Sequence, residues 1–315
     1  MEYTVLIVQS ATCYSSMIEY VHQVNMILHP VSVIIPTFNR KKFLRKTLNS
    51  VFRQSARCAE VIVVDDGSTD GTEHLLASLK AESPVPLHYL RQKNKGPAAA
   101  RNVGISYSSQ GYITFLDSDD HWGKRKIQYQ LEAMEQQPEY LISHTREKWY
   151  RRGQHLNQKK KHIPRHGDIF SHCLELCAVG MSTVMVRREL FDHIGLFDES
   201  LRCCEDYDLW LRASCRYHFL LVDEPLTIKE GGREDQVSQQ YRVGMDKLRI
   251  SALEKLLDSK VLTTQQEEMT QKELVKKAGI YGNGCMRHGK EQEGRAYLAL
   301  ARAVQQRIQE SETEV

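Results

Sequence analysis

Short apolar runs that each end in a polar loop and lead into a helical pattern recur along the chain. The runs VSVII, VIVV, LHYL and GYITFL are followed by the loops PTFNR, DDGST, QKNKGP and DSDD. After the first loop, Leu44, Leu48, Val51 and Phe52 recur at helical spacing. Strands that alternate with helices predict an α/β fold, with a mostly parallel central sheet flanked by helices.

The ends of these strands are the predicted binding edge. In parallel sheets, ligands bind beyond the carboxyl ends of the strands, so the four polar loops are expected to line one edge. After residue 123 the pattern is mixed. It predicts a helix near IQYQLEAMEQQ, strands near YLISHT and GMSTVMV, helices near RRELFDHIG and EDYDLWLRASCR, and a final strand, HFLLVDE, before GGREDQ.

Composition excludes some classes of protein. The chain has 315 residues, of which 41% are hydrophobic, enough for one large core. A formal net charge of +3 gives no reason to expect a nucleic-acid partner. No run approaches the roughly 18 apolar residues of a membrane span, and no basic residue precedes YTVLIV at the start. We therefore expect a cytoplasmic protein, with peripheral contact at the inner face of a membrane left open.

Three regions are predicted. Residues 1–29 contain Glu2 and Glu19 as their only formal charges and no clear period, so we expect an extension outside the fold. Residues 30–240 form the α/β domain. Residues 241–315 are helical and rich in charge, and a hairpin pattern near their end indicates either a packing cap or a surface for a protein partner.

Asp117 and Asp119 follow the strand that ends in Phe115 and Leu116. Positions two apart on an extended chain project to the same side, so the two carboxylates can share a target. Mg²⁺ typically takes one or two carboxylates, while substrate phosphates and water complete its shell. The other interpretation is a polar turn with a solvated acidic surface.

Asp66 ends the VIVV strand and can accept hydrogen bonds from the N–H edge of a nucleobase. The alternative is a role in its own turn, which we favour for the adjacent Asp65. The next helix is expected to begin at Asp70, whose spacing to Glu73 resembles a capping box. Lys95, Arg101 and the helix that starts at Pro97 favour a diphosphate at the same edge, or form a solvated basic face.

Glu205 and Asp206 open an amphipathic helical segment. Adjacent helical residues point in different directions, so only one of the two can face a site, and we choose Asp206. A helix N-terminus favours the charged carboxylate, which can then accept a proton. The competing interpretation is capping of the helix by an acidic pair.

Taken together, these segments resemble the family 2 glycosyltransferases, which have the GT-A fold. The resemblance rests on VSVIIPTFNR, VIVVDDGSTDGT, NKGPAAARNVGI, ITFLDSDD and EDYDLWLR, in this order over residues 31–212. It implies that a sugar moves from a nucleoside diphosphate, with a UDP-sugar favoured, to the hydroxyl group of a glycan or lipid-linked acceptor. It also implies inversion at the anomeric carbon and a bound Mg²⁺ or Mn²⁺. Polysaccharide or cell-envelope glycan synthesis is the implied setting.

The resemblance also implies residue roles. Pro36, Thr37 and Phe38 would flank the base and the ribose, Asp66 would hold the base, and Asp206 would be the general base. Asp119, with Asp117, would bind the metal. The implied nucleotide-sugar site comprises Pro36, Thr37, Phe38, Arg40, Asp66, Asn94, Gly96, Arg101, Asp117 and Ser118.

Two departures from related sequences matter. No QxxRW follows the Glu205-Asp206 pair, which favours addition of single sugars over processive synthesis. Many relatives carry a histidine near GG-x-[DE]-DQ, where this chain has Arg233, so a protein ligand for the metal is in doubt there. Arg233 could instead meet the diphosphate directly.

Alternatives remain open from the sequence. A nucleotidyltransferase would want a glycine-rich phosphate loop, and PTFNRKKF has no glycine. A non-catalytic protein that binds a nucleotide sugar, or a scaffold, is the rival of another class. Lys159 to Lys161 form either a solvated loop or a site that attracts an anionic acceptor.

Overall fold

The first half of the fold is a parallel sheet with a helix after each of its first three strands. The computed structural model describes residues 27–313 except 234 and 242, so most of the predicted extension lies outside the described residues. The strands are β1 (Leu28–Thr37), β2 (Arg57–Asp65), β3 (Leu87–Arg91) and β4 (Tyr112–Phe115). The helices are α1 (Lys41–Phe52), α2 (Thr72–Glu82) and α3 (Pro97–Tyr107). The strand order β3-β2-β1-β4 is parallel throughout.

The central strands are buried because their side chains are apolar on both faces. Val33, Ile34, Ile62 and Val63 have no exposed surface. Helices cover both faces, so a strand without polar alternation is the stable solution here. β1 begins two residues before the expected boundary at residue 30, and Leu28 pairs with Arg57.

The second half extends the sheet with mixed pairing. Its strands are β5 (His121–Trp122), β6 (Ile142–Arg151), β7 (Gln154–Leu156), β8 (Met185–Arg187) and β9 (Phe219–Gly231). Its helices are α4 (Lys126–Gln136), α5 (Phe170–Glu175), α6 (Glu189–Ile194) and α7 (Glu205–Ser214). The order continues β4-β8-β6-β9-β5, with β7 paired to β6. β6 and β9 are parallel, whereas β8 is antiparallel to both of its neighbours. The predicted α/β fold is confirmed, with antiparallel pairs confined to this half.

Helices complete the chain, as predicted. They are α8 (Val237–Gln240), α9 (Met245–Asp258), α10 (Thr264–Arg287) and α11 (Glu291–Thr313). Leu253 of α9 and Leu274 of α10 belong to the same buried cluster as Tyr207 and Trp210 of α7. The C-terminal helices therefore share a core with the helix that carries the Glu205-Asp206 pair. The domain boundary at residue 241 stays a prediction.

The expected start of α2 differs from the observed one. Gly71, with φ of +82°, precedes the first helical residue, Thr72. The Asp70 carboxylate accepts from the Thr72 N–H at 3.1 Å and from the Lys41 N–H at 2.9 Å. Asp70 therefore stabilises the starts of two helices from outside them, and the capping box with Glu73 does not form.

No helix among the described residues is both long enough and apolar enough to cross a membrane. The cytoplasmic location stays a prediction of the sequence.

Candidate active site

Asp65 stabilises the turn after β2, the role that we favoured from the sequence. Its carboxylate accepts from the Ser68 N–H at 2.8 Å and from the Tyr89 hydroxyl at 2.9 Å. Only 1% of Asp65 is exposed. Both carboxylate oxygens are thus engaged within the turn and the neighbouring strand.

Asp66 holds the loop between β3 and α3. One of its oxygens accepts from the Gln92 side chain at 2.7 Å and from the Lys95 N–H at 2.8 Å. Within the described part of the chain, the other accepts from the Gly96 N–H alone, at 2.8 Å. Because a carboxylate offers about four lone-pair sites, one site on this second oxygen stays available to a further donor. Asp66 therefore shapes the loop and can still bind one N–H group.

The remaining predicted base-binding residues lie around this loop. Pro36 and Thr37 are buried at the end of β1, opposite Val64 and Asp65. Phe38 follows with 44% of its surface exposed, which leaves an aromatic face open to a planar ligand. Asn94 is exposed, and Gly96 adopts a φ of +95° immediately before α3.

The acidic turn at residues 117–120 is anchored by its last member. Asp120 is 2% exposed and accepts from the Ser182 hydroxyl at 2.7 Å. Burial raises the pKa of Asp120 well above its usual range. Ser182 in turn accepts from the Asp117 N–H at 3.1 Å, and the Ser118 carbonyl accepts from the Thr47 hydroxyl at 2.9 Å. These hydrogen bonds position the turn, and the Asp119 carboxylate takes part in none of them.

Asp119 faces two guanidinium groups. Arg233 forms an ion pair with it, and the Arg40 side chain lies 4.0 Å from the same oxygen. Asp235 bridges the two arginines, and Arg233 also lies 4.3 Å from the centre of the Phe43 ring. Burial and the nearby Asp117 raise the pKa of Asp119, and the arginines oppose this rise. The guanidinium groups of Arg40 and Arg233 thus lie beside Asp119, where a metal cation is predicted.

Arg101 joins the acidic turn to α7. Its guanidinium binds the Asp117 carboxylate at 2.8 Å and forms an ion pair with Glu205. Arg101 is 4% exposed. Burial alone would lower the pKa of Arg101, but the charges of Asp117 and Glu205 raise it. Arg101 therefore positions two carboxylates, and its contact with a diphosphate stays a prediction.

Asp206 lies in the first turn of α7, beside the buried Glu205. Cys204 precedes the helix in a left-handed conformation, with φ of +64°. Asp206 is half-buried, whereas Glu205 is 6% exposed. Burial raises the pKa of the Cys177 thiol, and the charge of the neighbouring Asp206 raises it further. Asp206 is thus the more exposed member of the pair, while Glu205 is held by its ion pair with Arg101.

A series of contacts connects the segments that carry the three predicted carboxylates. Asp66 binds the N–H of Gly96 at the start of α3, and Arg101 on the next turn of that helix binds Asp117 and Glu205. Asp119 lies two residues after Asp117, and Asp206 directly follows Glu205. The structure therefore brings the ends of β2 and β4, the start of α3 and the start of α7 to one edge of the sheet.

Two residues of this edge escaped the sequence interpretation. Lys229 on β9 is near the acidic turn, and its ammonium nitrogen lies 3.9 Å from Glu147 on β6. Glu147, followed by Asp120 and Asp117, raises the pKa of Lys229. The only local signal was a charged residue in a strand pattern next to Gly231 and Gly232, since pairing of β6 with β9 is not visible in either segment.

A metal ion can be held here only in part by the protein. Among residues 27–313, outside the two gaps, no group of three or more His, Cys, Asp or Glu side chains is arranged to hold one. Asp117 and Asp119 offer carboxylate oxygens on one turn, and mutual repulsion is part of what raises the pKa of Asp119. This donor set fits a hard cation that completes its shell with phosphate and water.

Comparisons with known proteins identify the family of the chain. The sequence profile described as "Glycosyl transferase family 2" matches residues 32–195, just over half of the chain. An uncharacterized glycosyltransferase of Rickettsia felis is 35% identical over 224 residues, which cover 68% of this chain and 36% of that protein. The "Putative teichuronic acid biosynthesis glycosyltransferase TuaG" of Bacillus subtilis is 34% identical over 182 residues, which cover 58% of this chain and 70% of that protein.

A solved structure shares the fold. The crystal structure of S. aureus TarS 1–349 in complex with UDP-GlcNAc superposes with a TM-score of 0.67 at 18% identity, covering 86% of this chain and 79% of that chain. The present chain spans about a third of the length of the R. felis protein and of a relative from Rickettsia conorii, with 36% and 35% covered. The architecture is a GT-A fold, and the chain belongs to glycosyl transferase family 2.

Proposed function

We propose that the protein transfers a single sugar from a nucleoside-diphosphate sugar to a hydroxyl group of a glycan or lipid-linked acceptor, with inversion at the anomeric carbon. The observation that carries this proposal is the buried Arg101, which binds Asp117 and Glu205 and so sets the acidic turn beside the start of α7. In this proposal, Asp117 and Asp119 supply the cation-binding carboxylates and Asp206, next to Glu205, supplies the proton acceptor. A non-catalytic binding protein would have no need for both.

The nucleotide end of the donor is assigned to the ends of β1 and β2. The open lone pair of Asp66 can accept the N–H of a pyrimidine base, and the exposed Phe38 ring can cover the planar base. A UDP-sugar is favoured because the related fold of TarS was solved with UDP-GlcNAc and with UDP. Pro36, Thr37, Asn94 and Gly96 would form the backbone around the base and ribose.

The diphosphate is assigned to the acidic turn and its arginines. Asp117 and Asp119 would hold Mg²⁺ or Mn²⁺, which neutralises negative charge on the departing diphosphate. Arg40 and Arg233 stand at the same carboxylate and can bind phosphate oxygens once the Asp119 ion pair opens. Ser118 presents its backbone at this turn.

Asp206 is assigned as the general base. It takes the proton of the acceptor hydroxyl as that oxygen bonds to the anomeric carbon and the bond to the diphosphate breaks. The step is one displacement, so the configuration inverts. Arg101 forms its ion pair with Glu205 rather than with Asp206, which lies half-buried in the first turn of α7.

The product class follows from the relatives. The name of the B. subtilis relative refers to teichuronic acid, so synthesis of an envelope polysaccharide is the setting that we propose.

Substitution of the proposed base tests the assignment. Asp206→Asn keeps the size of the side chain and removes the proton acceptor, so we expect transfer to fall about 10²- to 10⁴-fold while donor affinity is retained. Asp192→Asn is the control, since Asp192 is an exposed carboxylate on α6. Transfer by Asp206→Asn at the rate of the parent protein would refute the role of Asp206.

A further inference from the structure

A strongly basic segment leaves the sheet beside the proposed active site. We call residues 146–166 the basic arm; it contains the outer half of β6, the whole of β7 and the loop that follows. It carries eight Lys and Arg residues and a single acidic residue, Glu147. The whole chain has 43 Lys and Arg against 40 Asp and Glu, so outside the arm acidic residues outnumber basic ones. The positive charge of the protein is therefore concentrated in this segment.

The charges of the basic arm are not neutralised by the fold. Arg146 pairs with Asp223, and Glu147 turns inward toward Lys229. The other basic side chains of the arm are exposed and have no carboxylate partner within the described part of the chain. They are Lys148, Arg151, Arg152, Lys159, Lys160, Lys161 and Arg165.

The basic arm is nevertheless anchored to the domain. The buried His144 ring donates to the Arg165 carbonyl at 2.9 Å. His172 of α5 donates to the Lys161 carbonyl at 2.7 Å, and the rings of Trp149 and His162 lie 5.1 Å apart. A surface held in this way can present its charges without first paying the entropy of ordering a loose loop.

Arg151, near the tip of the basic arm, lies next to the diphosphate end of the proposed site. β6 runs beside β9 as far as the pair Arg151 and Gly231. A Cβ added to Gly232 would lie 2.6 Å from the Arg151 side chain, so that side chain lies against the glycine. The next residue, Arg233, is the ion-pair partner of Asp119. One glycine thus separates the arm from the acidic turn.

The tip of the basic arm is concave. A cleft of about 460 Å³ is lined by Arg151, Arg152, Gln154, His155 and Leu156. Leu156 and Ile163 are the large apolar side chains that the described arm exposes, at 44% and 46%. Two apolar side chains give little area for insertion into a bilayer, whereas a cleft with paired guanidinium groups suits a chain of anionic groups.

We propose that the basic arm binds the acceptor, and that the acceptor is a polymer with repeating phosphate or carboxylate groups. This inference rests on the proposed function, because it names the acceptor class of the same site. The basic side chains hold the polymer along the arm, and the end near Gly232 delivers an acceptor hydroxyl to the pocket.

Binding of inorganic polyphosphate, measured by its displacement of a fluorescent polyanion from the 315-residue chain, tests the arm directly. The variant Lys159→Gln, Lys160→Gln and Lys161→Gln removes three charges without touching the proposed catalytic pocket. The control replaces three exposed basic residues of α10, α11 and their connection, as Arg287→Gln, Lys290→Gln and Arg302→Gln. We expect polyphosphate affinity to fall about tenfold in the arm variant, as for the loss of three exposed ion pairs, and to stay unchanged in the control.

Two further readouts separate the outcomes. Hydrolysis of the donor without acceptor should be equal in the parent and both variants, and its absence from all three would count against the proposed function while the binding comparison still decides the role of the arm. Equal polyphosphate affinity in all three proteins would overturn the inference. It would also be overturned if the arm variant lost only its binding to phosphatidylglycerol vesicles, since the arm would then be a membrane contact.

Discussion

The proposed site contains three pairs of adjacent acidic residues, and the two members of each pair have different roles. In each pair, one member is buried and engaged in holding the local backbone or a neighbouring helix: Asp65, Asp120 and Glu205. The other member is the one assigned to the ligand: Asp66, which also holds the loop before α3, and Asp119 and Asp206. A buried carboxylate needs partners to stay charged, and these partners position its neighbour. The pairing explains why the strands end in two carboxylates where a single ligand would need one.

The buried imidazole of His144 makes a prediction at the same scale. Burial, opposed by the hydrogen bond to the Arg165 carbonyl and assisted by the nearby His166 and His172, lowers its pKa from the ordinary value of 6.5 to about 4. The unfolded chain therefore takes up a proton at a higher pH than the native state. The contribution of His144 to the free energy of unfolding is fully present above pH 6.5. It is lost as the pH falls toward 4 and amounts to about 3 kcal/mol.

Urea unfolding of the parent protein and of His144→Gln across that pH range measures this contribution. The variant cannot take up the proton, so the difference in unfolding free energy between the two proteins should shrink as the pH falls. A difference that is independent of pH would show that His144 does not titrate between the two states.

At the scale of elements, the sequence predicted the strands and loops that depend on local residue patterns, and it missed features that depend on distant partners. The buried runs of β1, β2 and β4 were recognisable because each is apolar on both faces, and the polar loops at their ends follow from strand direction. The length of β9 was missed, because PLTIKEG becomes a strand only by pairing with β6. The start of α2 was missed because Gly71 takes a positive φ and leaves Asp70 outside the helix. The role of Arg101 required partners that lie 16 and 104 residues away.

The close packing of α3 on β1 makes a prediction about an element. Gly104 faces Ile34, a fully buried side chain of β1, and an added Cβ would overlap it. We expect Gly104→Ala to lower the free energy of unfolding by about 1–3 kcal/mol through overpacking, and to reduce transfer because α3 carries Arg101.

Gly279 is the matched control, since it is also helical and an added Cβ there would meet nothing within 4 Å. Gly279→Ala should raise stability by about 0.5–1 kcal/mol, because alanine favours the helix over glycine. Chemical denaturation of both variants compares the two signs. A stabilised Gly104→Ala would contradict the close approach of α3 to β1.

At the scale of the molecule, the fold places charge as well as side chains. The parallel half supplies the loops that are assigned to the nucleotide. The mixed half supplies Lys229, Glu147 and the basic arm. The C-terminal helices share a buried core with α7. The site forms where these three parts meet. The central claim is therefore that Asp66, Asp119 and Asp206 surround one donor molecule.

A crystal structure of the protein grown with UDP and Mn²⁺, with the metal located by its anomalous signal, tests this claim most directly. The account predicts the base at Asp66 and the metal between the diphosphate and Asp119, with the terminal phosphate toward Asp206 and with Arg233 moved away from Asp119. Nucleotide bound at another face of the sheet, with Asp66 and Asp119 making no contact to it, would contradict the account.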